Sequence, residues 1–201
     1  MPAANHDATV DLDWVRAHLD DPNVVFVHVG GERKEYEGGH LPGAVWADGY
    51  GDFTVDRAGI RALVPHRDEF EATLGRLGVD ERRTVVLLAS GKSMWPYRAY
   101  WVLRYFRFPS VHLVDGGIEA LRAAGVPLTD QPTPPRTIDA VRLDDPDASI
   151  IVTYQDVLAA IDAGTEVILD CRSDEEFEGR GHGHAVAARL GRIPQIGRAH
   201  V

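Results

Sequence analysis

The chain has 201 residues, of which 44% are apolar and 26% charged, and its formal net charge is −10. That length fits one large domain or two small ones, and the apolar fraction is enough for a hydrophobic core. The acidic balance argues against nucleic acid and anionic membranes as partners, and no apolar run is long enough to span a bilayer.

In the first part of the chain, short apolar runs alternate with helical patterns. A helix is expected from Asp11 to Leu19, with Asp11 or Asp13 as its cap. The runs typical of strands buried on both faces of a parallel sheet are Val24–Val29, Thr84–Leu88 and Ser110–Val114. Further helices are predicted over Phe70–Leu77, Pro96–Phe106 and Ile118–Ala124. This alternation predicts an α/β fold with a mostly parallel sheet.

A proline-rich stretch interrupts the alternation and predicts a linker over residues 127–150. After it, Thr153–Ala163 repeats the opening helix, with Thr153 as its cap, and Val167–Leu169 repeats the opening strand. The two copies align at an offset of 141 or 142 residues. Recurrence of this kind predicts two copies of one structural unit.

The repeat divides the chain into a first copy over residues 8–126, the linker, and an incomplete second copy over residues 151–194. Residues 195–201 break the pattern, and Ile196–Val201 reads as the translation of a sequencing adapter. We therefore expect a non-native tail, with a genuine divergent terminus as the alternative.

The amino terminus, Met1–Asp13, has neither a basic start nor an apolar stretch, so we expect no signal peptide. Cys171 is the only cysteine, which excludes an intramolecular disulfide and any metal site built from several cysteines. Together these features predict a cytoplasmic protein.

Four motifs carry a family resemblance. Gly39–Ala44 reads Gly-His-Leu-Pro-Gly-Ala and recurs in part as Gly191–Pro194, while Asp170–Arg172 reads Asp-Cys-Arg and Asp115–Gly117 reads Asp-Gly-Gly. Over Asp11–Pro194 the chain resembles the tandem-domain rhodaneses, which are thiosulfate and 3-mercaptopyruvate sulfurtransferases. The motif residues on which the resemblance rests are His40, Pro42, Gly43, Asp115, Gly116, Gly117, Arg192 and Pro194.

The resemblance implies a rhodanese-like parallel five-stranded sheet with helices on both faces, followed by an incomplete second copy. It also implies a cysteine that takes sulfane sulfur from a small anionic donor, thiosulfate or 3-mercaptopyruvate, and passes it to a thiol or cyanide. The cysteine must be a thiolate, and a loop that points backbone N–H groups at the sulfur favours that form. No cofactor is implied.

The first copy has no cysteine where this loop is expected. Its loop follows Leu88 and begins Ala89-Ser90, so we expect the first copy to be inert. In the second copy the corresponding loop, and with it the nucleophile, is expected beyond Val201. The family is enzymatic, yet this chain is predicted to be inactive; the alternative is a non-catalytic rhodanese-like binding or regulatory module.

Two readings apply to the residues around Cys171. The thiol could be a nucleophile helped by Arg172, but a small buried residue at a strand end is the favoured interpretation. By the resemblance, Asp170 and Arg172 either bind the donor's sulfonate or carboxylate or form a structural ion pair, and both alternatives stay open.

The histidines also have both a functional and a structural interpretation. His40 could be a general base, but a ring that ties a turn to neighbouring backbone is favoured, because the second copy has Arg192 at that position. His182 and His184 have the spacing of two metal ligands but no third ligand in view, so no metal site is expected.

Overall fold

The computed structural model describes residues 8–90, 93–134, 136–164, 166–180, 190–193 and 196–198. The chain divides into two compact units, residues 1–150 and residues 151–201. That the second unit is an incomplete copy of the first stays a prediction. Among the described helices, none has the length and apolar character needed to cross a membrane.

The first unit is built on five parallel strands. The strands of this unit are Thr9–Val10 (β1), Val24–Gly30 (β2), Val45–Asp48 (β3), Val55–Arg57 (β4), Ile60–Leu63 (β5), Thr84–Leu88 (β6) and Val111–Val114 (β7). The parallel sheet has the order β1-β7-β6-β2-β3, while β4 and β5 form a separate antiparallel hairpin. The register places Val27 between Val45 and Leu87, and His28 between Trp46 and Leu88.

Helices cover both faces of this sheet. The helices of the unit are Leu12–Ala17 (α1), Arg33–Glu37 (α2), Gly49–Phe53 (α3), Arg67–Leu77 (α4), Trp95–Tyr105 (α5) and Gly117–Ala123 (α6). Helices α4 and α5 pack on the face that carries Val25, Val27 and Val29, and α1 and α6 pack on the face that carries Phe26. The predicted parallel sheet with helices on both faces is therefore confirmed.

Helix boundaries follow local capping. Asp11 caps α1 by accepting a hydrogen bond from the backbone N–H of Trp14 at 2.8 Å. Helix α4 begins three residues before the predicted start, because the Glu69 carboxylate accepts from the backbone N–H of His66 at 2.7 Å. It ends at Gly78, whose φ of 71° is the left-handed conformation common at this position.

The predicted linker is fixed to the first unit. Residues 126–147, here called the strap, contain no helix or regular strand among their described residues. They nevertheless bury Val126, Val141 and Leu143, each at most 8% exposed. The backbone N–H of Ile138 donates to the carbonyl of Gly75 in α4 at 2.9 Å. The prolines exclude helix, as expected, but the segment packs as part of the fold rather than serving as a free spacer.

The second unit contains short elements only. They are Tyr154–Ala163 (α7), Leu169–Asp170 (β8), Asp174–Phe177 (α8) and Gly197–Arg198 (β9). Strands β8 and β9 are parallel, with Leu169 opposite Gly197 and Asp170 opposite Arg198. Thr153 caps α7 in a capping box with Asp156. The non-native origin proposed for residues 195–201 stays a prediction, and positions 195 and 199–201 lie outside the described residues.

Candidate functional site

The carboxyl edge of the first sheet lies where β6 ends at Leu88. Ala89 follows directly, is only 6% exposed, and accepts a hydrogen bond at its carbonyl from the backbone N–H of Ile118 at 3.1 Å. A methyl group thus occupies the start of the loop in which the resemblance implies a cysteine. Residues 91 and 92 of this loop lie outside the described residues.

A cavity of about 160 Å³ lies beside Ala89. Its polar and loop lining comes from Ala89, Ser93, Pro96, Tyr97, Gly116 and Gly117. Gly117 has a φ of 59°, and a Cβ atom there would lie 2.8 Å from the carbonyl oxygen of Ala89. The turn Asp115–Gly117 therefore needs glycine to bring the start of α6 close to the loop that follows β6.

Tryptophan side chains fill the neighbouring strand ends. A Cβ atom at Gly49 would lie 2.2 Å from Cγ of Trp95, and one at Gly31 would lie 3.1 Å from its indole Nε1. A Cβ atom at Gly30 would lie 2.7 Å from the ring of Trp46. Sequence reasoning missed this arrangement, which leaves the ends of β2 and β3 covered by aromatic rings.

His40 is completely buried and holds the strap. Its Nδ1 lies 2.8 Å from the carbonyl oxygen of Tyr36, and its Nε2 lies 3.1 Å from the carbonyl oxygen of Gln131. Its backbone N–H and carbonyl also exchange hydrogen bonds of 2.9 Å with Thr129. Both ring nitrogens face backbone oxygens, so the geometry is that of an anchor rather than of a general base.

Tyr36 completes this anchor. Its hydroxyl donates to the carbonyl of Ala44 at 3.0 Å and accepts from the backbone N–H of Thr133 at 3.0 Å. Pro42 and Gly43 lie between these contacts, and Gly43 has a φ of 79° in the turn that leads into β3. The Gly-His-Leu-Pro-Gly-Ala motif therefore joins α2, β3 and the strap.

His28 is a buried histidine that sequence reasoning overlooked. It is 0% exposed, and neither ring nitrogen has a hydrogen-bond partner among the residues that the structure describes. The pKa of His28 is lowered to about 4, mainly because the ring is buried; the charge of the nearby His40 adds to the shift and Glu119 opposes it. The repeat is the signal in the sequence that points to His28. At an offset of 142 residues, His28 is the counterpart of Asp170 and Gly30 is the counterpart of Arg172.

In the second unit, Asp170 and Arg172 form a two-point ion pair. The Arg172 Nε donates to both Asp170 oxygens at 2.9 and 3.1 Å, and Nη2 donates to Asp170 at 2.7 Å. Nη2 also donates to the carbonyl of Gly191 at 2.9 Å. The hydrogen bond to Asp170 raises the pKa of the Arg172 guanidinium. Cys171 is exposed, so its expected burial was wrong: Leu169 beside it is also uncovered.

The remaining motif residues of the second unit are partly placed. The guanidinium of Arg192 lies over the ring of Phe177, 4.7 Å from its centroid. Arg180 pairs with Glu178 at 2.5 Å. Pro194, His182 and His184 lie outside the described residues. Within the described part of the chain, no group of acidic, histidine or cysteine side chains could hold a metal ion.

Residues 11–124 match a family model described as the rhodanese-like domain. A Saccharopolyspora erythraea protein provisionally named thiosulfate sulfurtransferase is 31% identical over 177 residues, which cover 88% of this chain and 61% of that protein. The sulfur carrier protein TtuD of Thermus thermophilus is 31% identical over 96% of this chain and 70% of its own length. The chain thus spans about three fifths of the first of these relatives.

Solved structures agree in fold. The structure of SseA from Escherichia coli, described as a 3-mercaptopyruvate sulfotransferase with the rhodanese fold, superposes with a TM-score of 0.79 at 23% identity. That match covers 95% of this chain and 74% of SseA. An anaerobic ergothioneine biosynthesis enzyme from Chlorobium limicola gives a TM-score of 0.81 at 20% identity, over 96% of this chain and 50% of the enzyme. At these identities the matches establish the fold alone.

Proposed function

The chain belongs to the rhodanese-like domain family, and from this premise we propose that it is part of a sulfurtransferase. The donor is a small anion, thiosulfate or 3-mercaptopyruvate, and the acceptor is a thiol or cyanide. The names of the relatives support general sulfur transfer, since one is provisionally named a thiosulfate sulfurtransferase and another is named a sulfur carrier protein. Because the chain spans only part of those relatives, the reaction is proposed for the larger protein.

The proposed reaction is a double displacement through a cysteine persulfide. A cysteine thiolate attacks the outer sulfur of thiosulfate, the S–S bond breaks, and sulfite leaves with the electron pair. Cyanide or a thiolate then attacks the terminal sulfur of the persulfide, and the cysteine leaves as thiolate. Both steps are substitutions at sulfur that consume no external electrons, so no cofactor is required.

We propose that the nucleophilic cysteine lies outside residues 1–201, and one observation supports this assignment. The residue after β6 is Ala89, a buried methyl group, at the position where the sulfur loop of the first copy begins. The other features of that copy also depart from the motif, with His28 and Gly30 in place of the aspartate and arginine. Cys171, the only thiol of the sequence, lies in the short connection between β8 and α8 and inside the Asp-Cys-Arg motif, whereas the resemblance implies the nucleophile in a later loop of the second copy. The chain as given is therefore proposed to be inactive.

For the second copy we propose that Arg172 binds the donor's sulfonate or carboxylate while Asp170 holds it in place. Asp170 and Gly191 occupy Nε and Nη2 of the guanidinium, whereas Nη1 makes no hydrogen bond within the described residues. The Arg172 side chain is 39% exposed, so an anion could reach it from solvent. A guanidinium with one free edge suits a planar or tetrahedral oxyanion.

A non-catalytic binding module is the second candidate, and the aromatic filling of the first site favours it. Trp95 fills the space beside Gly31 and Gly49, at the carboxyl ends of β2 and β3, so this part of the sheet edge has no room for a small molecule. We further propose a cytoplasmic location, which the single exposed cysteine suits, because an unpaired thiol is stable in a reducing compartment.

Thiosulfate-to-cyanide transfer measured on the purified chain tests the assignment. We expect no thiocyanate above the buffer rate, with or without alkylation, and the same result for Cys171→Ala. Cysteine-dependent turnover would overturn the placement of the nucleophile. The complete genomic reading frame, expressed and assayed with thiosulfate and 3-mercaptopyruvate, should turn over with one of them; failure with both supports the binding module.

A further inference from the structure

A second cavity of the first unit lies at the amino edge of its sheet, where the parallel strands begin. It has a volume of about 330 Å³, which falls within the range of small-molecule pockets. Its apolar walls come from Leu19, Val24, Val45 and Leu77. Strand β6 has five residues and is roughly 16 Å long, so this space, here called the amino-edge cavity, is separate from the loop at Ala89.

Four charged side chains also line the amino-edge cavity. Arg83 lies just before β6 and Arg136 lies in the strap, whereas Asp20 and Asp21 follow α1. Within the part of the chain that the structure describes, no ion pair joins these arginines to these aspartates, and neither guanidinium donates a hydrogen bond. The Asp21 carboxylate accepts from the backbone N–H of Asn23 at 2.8 Å, while Asp20 makes no such contact among the same residues. Two cationic groups and one carboxylate are therefore available to a ligand.

The backbone of both arginines is fixed beside the end of α4. The backbone N–H of Arg83 donates to the carbonyl of Asp80 at 3.1 Å, and the Asp80 carboxylate is already paired with Arg82 at 2.6 Å. A Cβ atom at Gly78 would collide with the carbonyl oxygen of Arg136, so the glycine lets the strap approach α4 closely. The guanidinium groups thus extend from two fixed segments, which limits the conformational freedom that a ligand would have to remove.

The charges are divided between the two faces of the sheet. Helix α4, next to the arginines, packs on the face of Val25 and Val27, whereas α1, next to the aspartates, packs on the opposite face. The amino-edge cavity is therefore positive on the side of α4 and negative on the side of α1. This pattern suits a dipolar molecule better than a simple anion, because an anion would meet the carboxylate of Asp20 as well as the arginines.

We propose that the amino-edge cavity binds a free α-amino acid with an apolar side chain, whose carboxylate pairs with Arg83 and Arg136 and whose ammonium group pairs with Asp20. A sphere of the cavity's volume is about 9 Å across. An ammonium and a carboxylate about 3 Å apart, each with a charge-assisted contact of about 2.8 Å, span nearly the same distance. The ligand's side chain then packs on the apolar strand ends. This site does not depend on sulfur transfer.

Titration calorimetry on the full chain tests the site with three probes of similar shape. They are L-phenylalanine, 3-phenylpropionate, which lacks the ammonium group, and 2-phenylethylamine, which lacks the carboxylate. We expect L-phenylalanine to bind with a dissociation constant of about 1 mM or lower, and each of the other two at least about tenfold more weakly. In NMR spectra the largest amide shift changes should fall at residues that line the cavity, such as Val24, Arg83 and Thr133.

Variants of the charged side chains test the two ends of the ligand separately. Arg83→Gln, Arg136→Gln and Asp20→Asn should each weaken binding at least about fivefold, because each removes one charged contact. Arg142→Gln is the matched control, since this arginine is also exposed in the strap but lines the groove beside α4 instead. None of these four side chains makes a hydrogen bond within the described part of the chain, so each variant should keep the wild-type unfolding midpoint.

The outcomes are distinct. Saturable binding of L-phenylalanine that Arg142→Gln preserves and the cavity variants weaken supports the site. Absence of both heat and shift changes up to about 20 mM L-phenylalanine overturns it. Equal weakening by the Arg142→Gln control counts against it as well. If 3-phenylpropionate binds as tightly as L-phenylalanine, the ammonium group contributes nothing and the assignment to an amino acid is wrong.

Discussion

The imidazole of His40 lies flat on the phenol ring of Tyr36, with the ring centroids 3.5 Å apart and the planes 12° apart. In the second unit, the guanidinium of Arg192 lies over the ring of Phe177, and the predicted repeat aligns this pair with His40 and Tyr36. Each unit therefore places a planar nitrogen-containing group on an aromatic ring. This recurrence explains how His and Arg can exchange in the motif: the stacking is kept while the hydrogen bonds differ.

Removal of the His40 ring should loosen the strap. His40→Ala deletes the ring contacts to Tyr36 and Gln131 and leaves a cavity at a completely buried position, so we expect a loss of about 2–3 kcal/mol in the free energy of unfolding. Urea denaturation measures the loss, and hydrogen exchange at residues 129–133 should accelerate. His66→Ser, at the exposed N-cap of α4, should not destabilise the protein, because serine is a favoured N-cap, and it should leave exchange at the strap unchanged. Unchanged exchange at the strap would refute the anchor role.

His28 should make the first unit sensitive to acid. Its pKa falls from 6.5 to about 4 in the folded state, so the unfolded state binds more protons between these values. The stabilising contribution of the neutral ring is complete above pH 6.5 and is lost as the pH falls toward 4, by about 3 kcal/mol in all.

The measurement compares urea denaturation of the wild type and His28→Leu between pH 7.5 and 4.5. Carboxylates titrate in both proteins, so the difference between the two curves isolates the histidine. We expect the wild type to lose more stability than the variant across this window. Parallel curves would show that His28 keeps its ordinary protonation in the fold.

Gly75→Ala should destabilise the protein, although Gly75 lies in a helix, where alanine is normally favoured over glycine. Alanine normally gains about 0.5–1 kcal/mol over glycine in a helix. A Cβ atom here would lie 2.6 Å from the carbonyl oxygen of Ile138 in the strap, so we expect a net loss of about 1–2 kcal/mol for Gly75→Ala. Gly51→Ala in α3, whose Cβ would meet Asp48 at an ordinary 3.4 Å, should be neutral or stabilising.

The second unit should exchange its amide hydrogens faster than the first. None of its residues whose burial the structure describes is buried, whereas β2, β6 and β7 of the first unit are covered on both faces. Exchange followed by mass spectrometry on the chain alone should show protection of residues 154–163 well below that of residues 84–88. Equal protection would contradict this account.

Sequence reasoning succeeded where the pattern was long. The apolar runs that form β2, β6 and β7 and the periodic segments that form α4 and α5 all appear within a few residues of their predicted limits. The short elements β1, β3, α2 and α3 were missed, because two to five residues carry little periodicity and their structure depends on neighbours in the sheet.

The site was harder to anticipate, because its side chains come together from distant segments. No spacing in the sequence places Trp95 against Gly31 and Gly49, or brings Gln131 to His40. The proline content of the strap correctly excluded helix. The apolar residues Val126, Val141 and Leu143 of the strap indicate that it packs on the core. The prediction of a linker gave more weight to the proline content of the segment.

The packing of the strap also determines where the chain can be shortened without disrupting the first unit. A shortened version that stops at Val126 would strip Val141 and Leu143 from the α4 side of the core and free the carboxylate of Glu71 that holds the Leu143 backbone. Limited proteolysis should accordingly leave a resistant fragment whose carboxyl end falls near Ile150, and that is the minimal piece to express for crystallisation or labelling.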